Sequence, residues 1–255
     1  VMPSRHLGLV PAEEYPQIET LIERAADWIS GACDLDHLVG LCTVLAPSDE
    51  TEKAILPPLG QRIALAHDAA FGFTYHHIID GWHKAGAEIC PFSPLSDEAP
   101  DQAADAVFLP GGYPELHAGR LAANSHFLAG LRACAAQDTL IYGECGGLMV
   151  MGERLVDQDG TSHGMAGLLP VATSFQKRVR HLGYRRLRHE SPLPWPRALR
   201  GHEFHYSTLI EQASIAPLFT AKHTTSDEVE AMGLCQGRLM GSYAHIISPD
   251  WTEPS

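Results

Sequence analysis

The stretch TLIYGECGGLMVMG, residues 139–152, sets Cys145 between glycines where an apolar run gives way to helix-like spacing. The pattern is G-x-C-x-G, the cysteine form of the nucleophile elbow, in which a tight strand-to-helix turn lifts a nucleophile clear of a sheet. Gly143 and Gly147 remove the Cβ atoms that would clash as the two backbones close, and Gly146 lets a substrate approach the main chain. A thiol at such a turn faces a helix N-terminus, whose partial positive charge lowers a cysteine pKa from about 8.5. The expectation is an exposed, reactive Cys145. A glycine-bounded turn whose cysteine merely packs writes the same pattern, so a second feature has to separate the two.

That feature is FLPGGYPE, residues 108–115. Two glycines after an apolar strand can turn their N–H groups toward one point. With the N–H of Gly146 and one from Gly111 or Gly112, a tetrahedral oxyanion would have two donors, each lowering the barrier by about 3 to 4 kcal/mol. A thiol nucleophile also needs a base that later protonates the leaving group. Two segments compete for that role: GHEFHYS with His202 and His205, and GSYAHIIS with His245. His202, Glu203 and His205 also read as metal ligands, orienting groups or ordinary strand residues. Two histidines do not make a zinc site, so no metal is assigned, and contact with a substrate or support of the site is preferred.

These residues need a scaffold. From residue 61 onward short apolar runs (RIALAHD, AEICPFSP, DAVFLPGG, TLIYGECGG) alternate with helical stretches. Runs that are apolar throughout suit strands buried on both faces, so an open, mostly parallel α/β sheet is expected, with the chemistry at the carboxyl ends of its strands. After residue 153 strand-like pieces dominate and antiparallel additions are expected. Within the first segment, 1–46, residues 5–46 read as helical, with Leu21, Ala25, Trp28 and Ile29 near helical spacing, and 47–60 has the polar, proline-bearing composition of a linker. The first segment therefore reads as the tail of an upstream domain, and 61–250 as the domain carrying the site.

Composition bounds the partners. The chain has 255 residues, is 45% hydrophobic, and contains no apolar run approaching the roughly 18 residues of a membrane span. Its start lacks the apolar core of a signal peptide, so a cytoplasmic protein without a membrane partner is the default expectation. The six cysteines form no CxxC pair. Acidic residues outnumber basic ones 31 to 18, and the net charge of -13 disfavours nucleic acid as a partner. Six of the eighteen basic residues nevertheless fall between Lys177 and Arg188, either as a solvated strand face or as a carboxylate-binding patch.

The ordered motifs DAVFLPGGYPELHAGRLAAN, IYGECGGLMVMGERLVDQDG, GMAGLLP, HLGYRRLR, RGHEFHYS and GSYAHI, with RHLGLVPAEE and RIALAHDAAFGFTY upstream, resemble the glutamine amidotransferase domain of the cobyrinic and hydrogenobyrinic acid a,c-diamide synthases. The resemblance runs from about residue 5 to 247 and implies a class I amidotransferase fold, flavodoxin-like, joined to an ATP-dependent synthetase domain. No G-x-x-x-x-G-K-[ST] loop occurs in the chain, so ATP and Mg are assigned to that absent domain and no cofactor to this one.

By the same resemblance His245 is the base, glutamine is the substrate, and a corrinoid polycarboxylate receives the ammonia. Related enzymes carry a glutamate two residues after the histidine, where this chain has Ile247, which implies a Cys–His dyad and leaves the group orienting the imidazole open. Glutamine brings an α-carboxylate, for which the fork of Arg178 is a candidate, with a plain surface arginine as the alternative. Its α-ammonium could meet Glu144, which could instead hold the turn. Two other classes stay open: a cysteine hydrolase of the dienelactone hydrolase kind, and a non-catalytic binding module on the same fold.

Overall fold

The computed structural model describes residues 10, 12–44, 56–226 and 228–252. The chain divides into two units, Val1–Glu52 and Lys53–Ser255, so most of the stretch read as a linker lies outside the described residues. In the first unit helix α1 (Ile18–Ala32) precedes α2 (Leu35–Gly40), which Asp34 caps by accepting the His37 N–H at 2.9 Å. Neither helix buries a residue. The expected helix is present, but of its periodic apolar residues Ala25, Trp28 and Ile29 are exposed and Leu21 is only half-buried.

The second unit runs β1 (Arg62–Ala66), α3 (His76–Lys84), β2 (Glu88–Phe92), β3 (Ala106–Leu109), α4 (Ala118–Ala123), α5 (Ser125–Ala136), β4 (Leu140–Glu144) and α6 (Gly146–Met151). Nine further strands are β5 (Arg154–Val156), β6 (Ser162–Gly164), β7 (Val171–Ser174), β8 (His181–Arg188), β9 (Ala198–His205), β10 (Thr208–Gln212), β11 (Phe219–His223), β12 (Val229–Met232) and β13 (Leu234–Gln236), then β14 (Leu239–Ser242) and β15 (Ala244–Pro249), which makes eleven after α6.

The main sheet has the order β13-β14-β4-β3-β1-β2. Its pairs are parallel except for β13 on β14, the antiparallel addition. The 2-1-3-4 arrangement is that of a flavodoxin-like sheet, with its switch point between β1 and β3. The other strands form two further sheets, β10-β7-β5-β6 and β12-β11-β8-β9-β15, a division that strand-like spacing alone does not reveal.

Strand alternation sends successive side chains of the main sheet to opposite faces, and both faces are covered. Ala64, Ala66, Val107, Leu109 and Ile141 pack with Leu121, Phe127, Leu131, Leu155 and Val171, from the helices α4 and α5 and the second sheet, and with Phe175 just after β7. Ile63, Leu65, Phe108, Leu140 and Tyr142 pack with Ile78 and Trp82 of α3 and with Leu187, Leu199, Phe219 and Ile246 of the third sheet. This two-sided burial is why the strands read as unbroken apolar runs.

Candidate active site

β4 ends at Glu144, and the chain turns at Cys145 with φ 47° and ψ -101°, a left-handed backbone on a residue with a Cβ. Such a conformation costs on the order of 1–3 kcal/mol and persists only where its surroundings enforce it. Here they do. A Cβ on Gly147 would fall 1.9 Å from the Leu109 carbonyl oxygen, and one on Gly143 would fall 2.8 Å from the Gly147 carbonyl carbon. The Cys145 N–H is tied to the Ser242 carbonyl at 2.7 Å.

The turn after β3 meets this elbow. A Cβ on Gly146 would sit 3.2 Å from the Gly112 nitrogen and 2.9 Å from Cδ of Pro114, so the two turns touch at the residue after the cysteine. Gly111 is fixed from below by the Phe73 N–H, which donates to its carbonyl at 3.0 Å. The space a Gly111 Cβ would need is taken by His245, whose Cε1 is 2.3 Å from that point. His245 thus meets the turn after β3 at Gly111, and that same turn meets Gly146, the residue after Cys145, through Gly112 and Pro114.

His245 lies on β15, buried, its ring stacked on His202 with centroids 4.9 Å apart and planes 8° apart. The His202 ring in turn is hydrogen-bonded through Nε2 to the Tyr75 hydroxyl. Nδ1 of His245 is 3.6 Å from Oε2 of Glu144. Oε1 of Glu144 accepts from the Tyr142 hydroxyl at 3.0 Å and from the Ile246 N–H at 3.1 Å. Burial dominates the titration here. It pushes the His245 imidazole down to about 3, helped by His202 and His205. It lifts the Glu144 carboxyl to about 8 against the hydrogen bonds from Ile246 and Tyr142. Both groups are therefore uncharged near neutral pH.

Cys145 departs from expectation. It is 3% exposed rather than open to solvent. Burial, followed by the charge of Glu115, raises its thiol far above the usual range, with Glu144 and Glu203 adding to the effect, and the Gly146 N–H only partly opposes this. The reason is burial: Cys145 belongs to the core cluster that includes Leu148, Met149 and Tyr243, and α6 has only six residues, so desolvation outweighs any helix-end charge. Burial thus favours the uncharged form of both the Cys145 thiol and the His245 imidazole.

Glu203 and His205 occupy the opposite face of β9 from His202. Glu203 receives Arg185 at 2.6 Å on Oε2 and His205 Nε2 at 2.7 Å on Oε1. His205 Nδ1 is 3.0 Å from the Ser207 carbonyl, and its ring stacks on Tyr243 at 3.7 Å and on His181 at 4.6 Å. His181, Glu203 and His205 bring three ligand-type atoms within 4.8 Å of one another. A guanidinium already seated on the carboxylate is nonetheless the wrong neighbour for a cation, and the cluster is a buried ion-pair network. It forms part of the wall of a cavity of about 550 Å³ that Arg180 and Ser207 also line. Arg178 is exposed and bonded to Gln158, with no contact to Cys145 or His245 among the described residues. Two members of the basic run are engaged structurally: Arg185 with Glu203, and Arg186 with Asp250 at 2.7 Å.

The approach of Glu144 to His245 had one available signal. Residues 142 and 144 share a face of β4, the face on which the third sheet packs.

The sequence pattern of the CobB/CobQ-like glutamine amidotransferase domain matches residues 62–250. The chain belongs to that family. It is 47% identical over 247 residues to the hydrogenobyrinate a,c-diamide synthase of a Sinorhizobium species, covering 96% of this chain and 57% of that protein. It is 49% identical over 250 residues to the hydrogenobyrinate a,c-diamide synthase of Rhodobacter capsulatus, covering 97% of this chain and 57% of that one. The chain thus spans somewhat over half the length of these curated relatives. Among solved structures it is similar to PurLQS from Thermotoga maritima, with a TM-score of 0.49 and 18% identity over 73% of this chain and 87% of that one. Membership of the amidotransferase domain family removes the dienelactone hydrolase alternative. No helix among the described residues is long and apolar enough to cross a membrane.

Proposed function

We propose that this glutamine amidotransferase domain hydrolyses glutamine, with Cys145 as nucleophile and His245 as proton carrier. In this reading the longer protein is a hydrogenobyrinate a,c-diamide synthase, like the relatives it matches. The observation that carries the reading is the strained Cys145 elbow closed against Gly111 and Gly112, with His245 filling the place of a Gly111 Cβ.

The chemistry begins with both groups neutral. As the Cys145 sulfur attacks the carboxamide carbon of the glutamine side chain, its proton passes to the imidazole. The amide oxygen becomes an oxyanion held by the N–H groups of Gly112 and Gly146. Collapse breaks the C–N bond, and the imidazole gives its proton to the leaving nitrogen, which departs as ammonia. A glutamyl thioester remains. Water, deprotonated by the imidazole, attacks it, the C–S bond breaks, and the thiol regains a proton as glutamate leaves. A pair that starts uncharged avoids a buried ion pair in the empty site and separates charge only when substrate is present.

Ammonia then amidates the a and c carboxylates of the corrinoid in the synthetase part of the longer protein. ATP with Mg would activate those carboxylates there, and no step of glutamine hydrolysis uses them. The cavity walled by Arg180, Arg185, Glu203, His205 and Ser207 offers both signs of charge, as a free amino acid requires. Glu203 and His205 hold that wall together through their bonds to Arg185 and to each other, whereas the exposed Arg178, bonded to Gln158, lies outside it. His202 backs the His245 ring.

The test is covalent labelling of the full-length protein with a diazo-ketone glutamine analogue, followed by peptide mass measurement. The expected result is one adduct on Cys145, absent from Cys145→Ser, together with loss of glutamate release in that variant. An adduct on any other cysteine, or glutamine hydrolysis surviving in Cys145→Ser, refutes the assignment. An unlabelled Cys145 in a folded protein would favour a binding module without catalysis.

A further inference from the structure

We propose that Glu144 is the positioning carboxylate of the His245 imidazole, reaching it across the sheets from the residue before the nucleophile. The proposal rests on the reading of Cys145 and His245 as the reacting pair, and it assigns Glu144 to the base rather than to the substrate.

Three observations support it. First, Glu144 is tied to the strand that bears the imidazole. Its Oε1 accepts the main-chain N–H of Ile246, the residue after His245, at 3.1 Å, and the Tyr142 hydroxyl at 3.0 Å. Two donors on one oxygen fix the carboxyl plane and leave Oε2 directed at Nδ1 of His245, 3.6 Å away. That separation exceeds a hydrogen bond by about 0.5 Å or more, and such bonds are often long in unliganded enzymes and tighten with substrate.

Second, there is no room for a substrate at Glu144. The cleft it lines with Phe73, Tyr75, Trp82 and Trp195 has a volume of about 10 Å³, at the threshold for a single water and far below an amino acid. Third, the residue two after His245 cannot take the position. Ile247 has no acceptor in its side chain, and its carbonyl is 3.0 Å from His77 Nε2. Among the described residues Glu144 is the carboxylate within 4 Å of the His245 ring.

The consequence is a fixed tautomer. Once Glu144 is ionised and Nδ1–H is aimed at it, the Nε2 lone pair is left to take the Cys145 proton, and the imidazolium so formed lies against a carboxylate. The Nδ1 proton stays in place throughout, so Glu144 supplies no net proton. The other titratable groups around the ring are His202 on its face, His205 beyond it on β9, Tyr142 and Cys145 on either side of Glu144, and Tyr75 behind His202. Glu144 ionises near 8, and its ionised form is the better support for the imidazolium. Activity should therefore rise with pH through about that value.

The experiment uses the full-length protein with Glu144→Gln, Glu144→Asp and Tyr142→Phe, measuring glutaminase kcat and KM across pH and thermal unfolding for each. The expected result for Glu144→Gln is a kcat lowered about 10²- to 10⁴-fold, the range seen when a base loses its orienting carboxylate. KM should stay within about threefold, and the limb near pH 8 should vanish, while Glu144→Asp recovers part of kcat. Tyr142→Phe removes a donor that holds the Glu144 pKa down, so its limb should move to higher pH. This variant decides the matter if Glu144→Gln does not fold.

An unchanged kcat and pH profile overturns the proposal, and so does a tenfold rise in KM with kcat retained, which would place Glu144 on the substrate. Glutaminase activity surviving in Cys145→Ser would instead refute the underlying reading of the reacting pair, independently of Glu144.

Discussion

Replacing Gly111 by alanine isolates the geometry of the base from its chemistry. The added Cβ would stand 2.3 Å from Cε1 of His245, 3.2 Å from Nε2 and 3.3 Å from Nδ1. Carbon atoms pack at about 3.5 Å or more, so the ring must move by about 1 Å. It has little freedom to do so, because His202 stacks on one face at 4.9 Å and Glu144 lies 3.6 Å from Nδ1. Gly111 is not among the glycines with positive φ, so alanine is compatible with the backbone and the effect is steric. A displacement of about 1 Å in a reacting group costs roughly 10²-fold in rate, and overpacking costs about 1–3 kcal/mol in stability. The assay is the initial rate of glutamate release by the full-length protein, beside a urea unfolding curve. Gly164→Ala is the control, since nothing lies within 4 Å of its added Cβ. A folded Gly111→Ala protein within about threefold of wild-type activity would refute the placement of His245 against this turn.

Gly147→Ala should prevent the elbow from forming, because its Cβ would meet the Leu109 carbonyl oxygen at 1.9 Å; unaltered labelling of the Cys145 thiol by the glutamine analogue would contradict this. Arg185→Leu leaves the buried Glu203 with only His205 and should cost on the order of 3–5 kcal/mol, read as a lowered unfolding midpoint in urea. Burial, then His202 and His205, holds His245 at about 3 when folded, below its unfolded value of about 6.5. The unfolded chain therefore binds the extra proton between those pH values, and stability falls as pH drops through that window. His245→Gln should flatten this dependence in thermal melts from pH 7 to 4. Burial raises the Asp250 carboxyl, but hydrogen bonds from Thr252, Arg186 and Arg200 outweigh it and keep the group well below the carboxylate range. Its contribution is present above about pH 4 and lost on further acidification, so the gap in melting temperature between wild type and Asp250→Asn should narrow in strong acid.

Much of the site was legible because its logic is local. Gly143, Cys145, Gly146 and Gly147 stand in one turn, and Gly111 and Gly112 in another, and a turn leaves its glycines in the sequence. The parallel strands were legible for a related reason: burial on both faces makes each one apolar throughout. What escaped was made by pairing across sheets. Tyr142 and Glu144 look like polar interruptions of a core strand until the third sheet brings His245 against them. Arg185 looks like one of six cations in a basic run, yet it is buried on Glu203 while its neighbour Arg186 reaches Asp250. The exposure of Cys145 was misjudged because the turn motif specifies the backbone of the nucleophile and not what closes over the sulfur.

β14 runs in the main sheet and β15 in the third, with only Tyr243 between them. The thiol is thus anchored to one slab of the molecule and the imidazole to another, and a one-residue hinge sets their relative tilt. The ring of Tyr243 is stacked on His205 and its hydroxyl accepts a hydrogen bond from the Ser207 hydroxyl at 2.9 Å, so whatever presses on that wall of the 550 Å³ cavity bears on the joint that sets the gap between sulfur and nitrogen.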